Sequence, residues 1–387
     1  MSVSGDDEGG GHRGATPPAT SGGRPGPEGL RRAYPVAHGG SAQPRRYAAL
    51  DLGTNNCRLL IAEARGTGFR VIDGFSRIVR LGERLSREGA LSEPAMDRAL
   101  SALRICASKL SMAGVTRART IATEACRSAS NCESFRSRVL EETGLELEVV
   151  DRETEARLAV AGCSPLVDDG AEGVLLFDIG GGSSEIVWLD LTSRYRLKGA
   201  ALVRCIRAWT SLPVGVVTLA ERHGGKDVDE RVFAAMVDDV SNLLAGVDPR
   251  GVLSAAVARG GVHLLGTSGT VTTLAGLFLG LKRYDRRQVD GTWLEQRQVD
   301  MLIAQLLSMG FDERVANPCI GADRADLVLA GCAILEAIRR RWPCERLRVA
   351  DRGLREGMLM ELIETDRLAR LRSRHHRMAE AAPAGYA

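Results

Sequence analysis

One short pattern occurs twice in this sequence and limits the folds open to it. "ALDLGTNNCRLLIAE" spans residues 49–63, and "LFDIGGGSSEIVWLD" spans residues 176–190. In each copy an apolar run ends near an aspartate, a glycine-containing turn follows, and a second apolar run leads away. This arrangement predicts two strands joined by a tight turn. The spacing between Asp51 and Asp178 is too long for a solenoid repeat and is typical of a duplicated domain.

Strands and helices alternate after each copy. Ser92, Pro94 and Gly114 mark the beginning and the end of one predicted helix. We expect further β-structure over 201–222, and one strand over 346–351 in a remainder that is mainly helical. The sequence therefore predicts two α/β lobes, whose repeated turns face each other across a cleft, which is a common place for ligands.

Composition limits the class of protein. The 387 residues carry a net charge of only +3, which disfavours a dedicated nucleic-acid or membrane-surface protein. No apolar run reaches the ~18 residues of a membrane span, and no secretory signal is visible. Nine scattered cysteines without Cys-x-x-Cys spacing favour buried thiols in a reducing cytoplasm over a zinc site. We expect no nucleic-acid or membrane partner.

The predicted organisation has four parts. Glycine, proline, serine and arginine dominate the beginning of the chain, which is typical of a disordered arm. The end of the chain starts as a basic helix and then becomes rich in alanine. The predicted parts are an arm over 1–44, lobe I over 45–170, lobe II over 171–365 and a tail over 366–387.

Three loops have the composition of phosphate-binding loops. "GTNN" follows the first aspartate of the repeat, "GGGSS" follows the second, and "GTSGT" (266–270) lies between a predicted strand and a predicted helix. Glycine lets a ligand approach the main chain, whose N–H groups bind anions in turns and at helix N-termini. The alternatives are ordinary hairpin turns and a helix cap. Three such loops predict a substrate with several phosphates.

The repeated aspartates predict a metal ion. A carboxylate beside bound phosphates repels them unless a cation intervenes, and Mg²⁺ prefers carboxylate and phosphate oxygens. Each aspartate has the alternative of accepting hydrogen bonds within its own turn. Because the aspartate is repeated, we expect Mg²⁺ near Asp51 and Asp178. The residue that activates water is left open among the acids near the cleft, which are Glu124, Glu153, Glu155 and Glu185.

Taken together, these residues resemble the exopolyphosphatase / guanosine pentaphosphate phosphatase family. The resemblance rests on "ALDLGTNNCRLLIAE", "RLGERL", "IATEACR", "ETEARLAVAG", "FDIGGGSSEIV", "SLPVGVVTLAE", "LLGTSGTVTTLAG" and "DRGLREGML", in the family's order over about 47–362. It implies two ribonuclease-H-like lobes of the actin/Hsp70/sugar-kinase superfamily. It also implies Mg²⁺-dependent removal of a terminal phosphate from inorganic polyphosphate or pppGpp.

The resemblance also implies roles for individual residues. Glu155 matches the glutamate that activates water, and Asp178 and Glu185 match the acidic pair of the second loop, with Asp178 on the metal side. The implied phosphate-binding residues are Thr54, Asn55, Asn56, Arg127, Gly180, Gly181, Gly182, Ser183, Gly266, Thr267, Ser268, Gly269 and Thr270. Arg58 and Arg80 match less well, since an arginine also serves to lock a loop, and Glu124 is expected to be structural.

The chain departs from the family pattern at two places. Before the catalytic glutamate the family has Ser-Gly-x-Glu-Glu-Ala-Arg, whereas this chain has "DRETEAR", in which Thr154 replaces a glutamate and Asp151 and Arg152 replace Ser-Gly. We expect this change to alter the pH optimum or the metal affinity. From the resemblance we also expect the chain to lack the helical HD-type domain of longer members, which leaves its preference for polymer length open.

Several readings of the function stay open. Aromatic residues make up only 4% of the chain, which disfavours a stacking pocket for guanine and favours polyphosphate over pppGpp. A kinase or ATPase of the same fold and a non-catalytic pppGpp sensor are the alternatives from other classes. A homodimer is compatible with the sequence.

Overall fold

The structure is a computed structural model that describes residues 45–66, 68–193 and 197–380. These residues belong to one compact unit, Ser41–Ala387, so both lobes and the cleft lie within it. The predicted arm over 1–44 falls outside the described residues. No helix in the described ranges is both long and apolar enough to cross a membrane.

The first sheet contains five strands and carries the first copy of the repeat. The strands are β1 (Arg46–Leu52), β2 (Asn56–Arg65), β3 (Gly68–Ile78), β4 (Arg117–Ala122) and β5 (Glu148–Val149). They lie in the order β3-β2-β1-β4-β5. β1 to β3 form an antiparallel meander, and β4 and β5 extend it in parallel.

The second sheet repeats this plan and adds one strand. Its strands are β6 (Gly173–Ile179), β7 (Ser184–Asp190), β8 (Ile206–Leu212), β9 (Val262–Thr267), β10 (Trp293–Glu295) and β11 (Arg346–Ala350). The order is β10-β11-β9-β6-β7-β8, with β6 to β8 antiparallel and β9 and β11 parallel to β6. The duplication predicted from sequence is therefore present in the topology of the two sheets.

Helices cover the sheets and connect the strands. Those of the first half are α1 (Leu85–Glu88), α2 (Glu93–Met112), α3 (Glu124–Ser128), α4 (Cys132–Thr143) and α5 (Arg152–Cys163). Those of the second half are α6 (Val216–His223), α7 (Glu230–Leu244), α8 (Val252–Ala258), α9 (Gly269–Phe278), α10 (Arg286–Val289), α11 (Gln296–Ser308), α12 (Phe311–Ala316), α13 (Val328–Arg341) and α14 (Leu354–Glu380). Short 3-10 helices occupy Ser164–Leu166 and Gly199–Cys205.

Two helices tie the halves together by crossing each other. α5 follows the first sheet in sequence, but its Ala156, Ala159 and Val160 lie in a core with residues of the second sheet. α14 follows the second sheet, and its Met358 and Leu359 lie in a core with residues of β1 and β2. A Cβ on Gly162 would lie 1.9 Å from the carbonyl oxygen of Gly353, and one on Gly357 would lie 2.2 Å from that of Leu158. Only glycine permits this close crossing, which brings the first turns of both helices to the cleft.

The β-structure predicted over 201–222 is present only at β8, since a 3-10 helix occupies residues 201–205, and the prediction was wrong at two further places. Residues 216–223 form α6 rather than β-structure, because the main-chain N–H groups of Val216 and Val217 donate to carbonyls of the second glycine turn and so fix a helix beginning there. β10 was not predicted, since its three residues are too few to show a strand period. The boundaries predicted for the lobes and the tail stay predictions, although α14 continues to Glu380.

Candidate active site

A cleft of about 790 Å³ lies where the two copies of the repeat meet. Residues 53–56, 180–183 and 267–270, from the three predicted phosphate loops, all line it, as do Asp51, Glu155, Asp178 and Glu185. Two predicted residues are not among the lining. Gly266 lies beneath the cleft within β9, where a Cβ would meet the ring of Phe177 at 2.6 Å. The other is Arg127.

The two hairpin turns are closed by equivalent hydrogen bonds. The N–H of Gly53 donates to the carbonyl of Asn56 at 2.8 Å, and the N–H of Gly180 donates to the carbonyl of Ser183 at 3.0 Å. In the described part of the chain, the next two N–H groups of each turn, at 54–55 and 181–182, have no hydrogen-bond acceptor. Successive free N–H groups in a turn form an anion-binding concavity, so each turn offers one to the cleft.

The run of three glycines is explained by the close approach of the first turn to the second. A Cβ on Gly181 would lie 2.9 Å from the Cβ of Thr54, and one on Gly182 would lie 2.9 Å from its Oγ1. The turns at 53–56 and 180–183 therefore pack directly on each other, and side chains on the second turn would hold them apart. None of the three glycines has a positive φ, so this packing, rather than an unusual backbone angle, requires glycine here.

The third loop places a strained serine beside the second turn. Ser268 has φ of +78°, which is rare for a residue other than glycine, and its hydroxyl donates to Asp178 Oδ1. α9 begins immediately after it, and Thr267 Oγ1 donates to the carbonyl of Arg352 at 2.6 Å. The N-terminus of α9 therefore faces the cleft beside a carboxylate, in the position where a helix favours an anion.

Acidic side chains form the floor of the cleft. Asp178 and Glu185 are directly opposite each other on β6 and β7, and both are buried. Burial and, after it, the charge of Asp178 raise the pKa of Glu185 to about 7, against the opposing effect of hydroxyl donors from Ser183 and Ser211 at 2.8 Å each. Burial also raises the pKa of Asp178. Two like charges at such a site are costly unless a proton or a cation joins them.

The equivalent pair in the first copy has opposite charges. Asp51 lies opposite Arg58 across β1 and β2. Burial raises the pKa of Asp51 to about 6, while the charges of Arg58 and Arg355 lower it and that of Asp178 raises it. The first copy therefore places an aspartate opposite an arginine in the cross-strand register, and the second places an aspartate opposite a glutamate.

Glu155 is placed at the cleft by the first turn of α5. Asp151 caps this helix by accepting the N–H of Thr154 at 2.7 Å, and Glu155 is 4% exposed. Burial, followed by the charge of Glu185, raises the pKa of Glu155 to about 8, and Arg127 opposes this shift. A carboxylate with a raised pKa that opens onto a cleft has the properties of a general base.

Arg127 contacts protein rather than the cleft surface. Its Nη2 donates to Glu155 Oε2 at 3.0 Å and to Glu124 Oε2 at 2.5 Å, its Nε donates to the same oxygen of Glu124 at 3.1 Å, and its Nη1 donates to the carbonyl of Val150 at 2.6 Å. Glu124, expected to be structural, lines the cleft. Direct phosphate binding by Arg127 stays a prediction, and the contacts present favour a role in holding Glu155.

Other arginines supply the positive charge of the cleft. Arg58, Arg324 and Arg355 all line it. Within residues 45–66, 68–193 and 197–380, their side chains make no hydrogen bond or ion pair with protein. Arginines that make no hydrogen bond or ion pair to a carboxylate leave their donors available to an anionic ligand. Arg324 and Arg355 were not predicted from the sequence. Arg355 is the second residue of α14, and the one signal for it in the sequence is that it closely follows a strand that ends at the cleft.

Arg80 locks the two halves together. It has φ of +46°, and both terminal nitrogens of its guanidinium donate to the carboxylate of Asp326 at 2.9 Å. Nearby, Glu221 accepts from the N–H of Arg84 and from Ser86 Oγ, each at 2.7 Å. These contacts join the loop after β3 to the second lobe at one side of the cleft.

The oxygen donors at the cleft fit a magnesium ion that takes few ligands from the protein and keeps several water molecules. Among the described residues, no three His, Cys, Asp or Glu side chains come close enough to form a complete metal site. Asp51 and Asp178 nevertheless offer carboxylate oxygens, and the buried Oδ1 atoms of Asn55 and Asn56 have no hydrogen-bond partner. Mg²⁺ is commonly held by one or two carboxylates together with waters and substrate phosphates.

Comparisons with known proteins agree with this geometry. The model of the Ppx/GppA phosphatase family matches residues 60–366. A guanosine-5'-triphosphate,3'-diphosphate pyrophosphatase of Photobacterium profundum is 28% identical over 346 residues, which are 86% of this chain and 61% of the relative. The chain thus spans about three fifths of the length of that relative.

Two solved structures show the same fold. A Ppx/GppA family member from Aquifex aeolicus is 28% identical, with a TM-score of 0.67 over 84% of this chain and 99% of its own. An exopolyphosphatase from Cytophaga hutchinsonii is 25% identical, with a TM-score of 0.72 over 83% of this chain and 98% of its own. The prediction of two ribonuclease-H-like lobes of the actin/Hsp70 superfamily is confirmed.

Proposed function

Since the chain belongs to the Ppx/GppA phosphatase family, we propose that it hydrolyses the terminal phosphoanhydride bond of a phosphate chain and releases inorganic phosphate. The observation that carries this proposal is the position of Glu155, a buried carboxylate held by Arg127. It opens onto the cleft that three loops with free N–H groups also line.

In the proposed reaction, a water oxygen attacks the terminal phosphorus while the bond from that phosphorus to the bridging oxygen breaks. Glu155 accepts a proton from the water, and the shortened chain leaves with the bridging oxygen. Charge on the transferred group is stabilised by the N–H groups of the turns at 53–56 and 180–183 and by the unpaired arginines. Such fixed donors supply most of the catalysis in phosphoryl transfer.

Asp178 and Asp51 are the residues that would hold Mg²⁺, with the side-chain oxygens of Asn55 and Asn56 within the same cleft. When bound, Mg²⁺ neutralises phosphate oxygens and so permits a polyanion to lie beside carboxylates. The like-charged pair of Asp178 and Glu185 favours the second turn as the side nearer to the cation.

We favour inorganic polyphosphate as the substrate. Among the described residues, the cleft contains arginines that make no ion pair, and Tyr284, the one aromatic residue lining it, donates its hydroxyl to Asp351 at 2.7 Å. pppGpp is the second candidate, because the Photobacterium relative is named for it. The wall formed by Pro318, Cys319 and Ile320 also gives a base an apolar surface.

Replacing Glu155 by Gln tests the proposal. Loss of a general base typically lowers the rate by about 10²–10⁴-fold, so we expect this fall in phosphate release from polyphosphate or pppGpp with Mg²⁺, and unchanged binding. Glu153→Gln is the matched control, since Glu153 lies on the same helix turn, is 57% exposed and, among the described residues, forms its one ion pair with Arg157 at 4.0 Å.

Three outcomes would contradict the proposal. Wild-type turnover in the Glu155→Gln protein would show that Glu155 is not the general base. ATP-dependent labelling of an acceptor, without phosphate release from either substrate, would indicate a kinase. Tight pppGpp binding without turnover would indicate a sensor.

A further inference from the structure

We propose that Arg152 is a positioning residue for the catalytic carboxylate, acting through Glu124 and Arg127. This inference rests on the proposed function of Glu155. Arg152 is the first residue of α5, three positions before Glu155, and one of the residues at which this chain departs from the family pattern. It does not line the cleft, so its effect must pass through its protein contacts.

The contacts form a continuous chain from Arg152 to Glu155. Arg152 Nη2 donates to Glu124 Oε1 at 3.0 Å and to Oε2 at 3.2 Å. Ser128 Oγ donates to the same Oε1 at 2.7 Å. Arg127 Nη2 then bridges Glu124 Oε2 and Glu155 Oε2. Two guanidiniums and two carboxylates therefore alternate from the outer end of the network to the cleft.

This alternation of charges determines how the hydrogen bonds of Arg127 are divided between Glu124 and Glu155. Arg127 faces two carboxylates, and a single guanidinium cannot compensate both. Because Arg152 compensates Glu124, Arg127 can hold Glu155 in one orientation. Without Arg152, Glu124 draws Arg127 toward itself, and the carboxylate of Glu155 loses its fixed donor. Charge-assisted hydrogen bonds are the strong ones in such networks.

Burial increases toward the catalytic end of the network. The side chains of Arg152, Arg127 and Glu155 are 43%, 19% and 5% exposed. A Cβ on Gly182 would lie 3.2 Å from Glu124 Cγ, so Glu124 also packs against the second glycine turn. Arg152 is thus the accessible end of a network whose other end is fixed against both lobes, and its replacement leaves the core intact.

The kinetic test compares Arg152→Gln with Arg152→Lys. Coupling within a hydrogen-bonded network is typically worth a few-fold to about a hundredfold, so we expect Arg152→Gln to lower kcat by about tenfold and to leave KM within about twofold. Arg152→Lys keeps a charged donor for Glu124 and should restore kcat to within about threefold of wild type. Arg157→Gln, on the same helix, removes an arginine that is 55% exposed and whose one ion pair within the described part of the chain is with Glu153, and it should change neither constant.

A double-mutant cycle tests the route. If Arg152 acts through Glu124, then Arg152→Gln should lower kcat no further in a Glu124→Gln background. The same tenfold loss in that background would overturn the route. A rise in KM at constant kcat would overturn the positioning role, because it would indicate that Arg152 binds substrate directly. Wild-type constants in Arg152→Gln would overturn it as well.

A spectroscopic measurement separates this inference from the proposed function. The Arg127 Nε–H signal of ¹⁵N-labelled protein, assigned by its loss in Arg127→Lys, should shift in Arg152→Gln and stay unchanged in Arg157→Gln. Absence of phosphate release by the wild-type protein would refute the proposed function alone. An unmoved Arg127 signal in Arg152→Gln would refute the positioning contact, whether or not the protein is active.

Discussion

The two glycine turns share their hydrogen bonding and differ in charge. Each is closed by a hydrogen bond from its first glycine to the fourth residue, and each begins after an aspartate in the same cross-strand register. Asp51 faces Arg58 in the first copy, whereas Asp178 faces Glu185 in the second. The duplicated backbone therefore supplies two phosphate-binding turns, and one substituted position makes them electrostatically unequal.

The difference assigns separate tasks to the halves. In the first copy the aspartate lies opposite an arginine whose charge lowers the pKa of that aspartate. In the second copy the charge of Asp178 adds to burial in raising the pKa of Glu185, which is the situation that a cation relieves. We expect the first turn mainly to bind phosphate and the second also to hold the metal.

The largest expected effect separates the two aspartates. We expect Asp178→Asn to lower Mg²⁺-dependent turnover by about 10²–10³-fold and Asp51→Asn by only about tenfold, since only the first change removes a carboxylate from the like-charged pair. Steady-state phosphate release at saturating Mg²⁺ measures both. Equal losses in the two variants would contradict the division of tasks.

A steric difference between equivalent glycines gives a smaller effect, on stability. A Cβ on Gly180 would lie 2.9 Å from the carbonyl oxygen of Ser183, whereas one on Gly53 would lie 3.5 Å from that of Asn56. We expect Gly180→Ala to lower the free energy of unfolding by about 1–3 kcal/mol and Gly53→Ala to change it by less than about 0.5 kcal/mol. Urea denaturation monitored by circular dichroism provides the values, and a larger loss in Gly53→Ala would contradict the geometry.

The smallest expected effect concerns pH. The folded-state pKa of Glu185, about 7, exceeds its value of about 4.3 in an unfolded chain. The folded protein therefore binds the extra proton, and stability falls as pH rises from about 4.3 to 7. Without metal, the melting temperature of wild type relative to Glu185→Gln should fall by about 2 °C or more between pH 5.5 and 8. A constant difference between the two proteins would show that Glu185 is ionised throughout.

Much of the fold could be predicted from the sequence because both copies of the repeat keep the apolar pattern of strands and the glycines of the turns. The hairpins at 49–63 and 176–190 required only apolar patterning and glycine. α6 could not be recognised because its beginning depends on carbonyls that lie more than thirty residues earlier in the chain. Local sequence carries no sign of such partners.

The loops and aspartates of the site could be predicted from the sequence, whereas the roles of its arginines could be predicted less well. Glycine loops and aspartates occur at fixed offsets within a motif, and the structure brings them to one cleft. The partners of an arginine depend on tertiary packing, so the engagement of Arg127 by Glu124 and Glu155 could not be read from the sequence. The same reason explains why Arg324 and Arg355 were missed.

Metal affinity tests the central claim most directly. Mn²⁺ can replace Mg²⁺ at oxygen sites and can be titrated by electron paramagnetic resonance, with inorganic phosphate present, into wild type, Asp51→Asn and Asp178→Asn. The inequality of the two turns predicts that Asp178→Asn weakens Mn²⁺ binding by about tenfold or more, while Asp51→Asn stays within about threefold of wild type. Equal weakening, or a greater loss in Asp51→Asn, would contradict it.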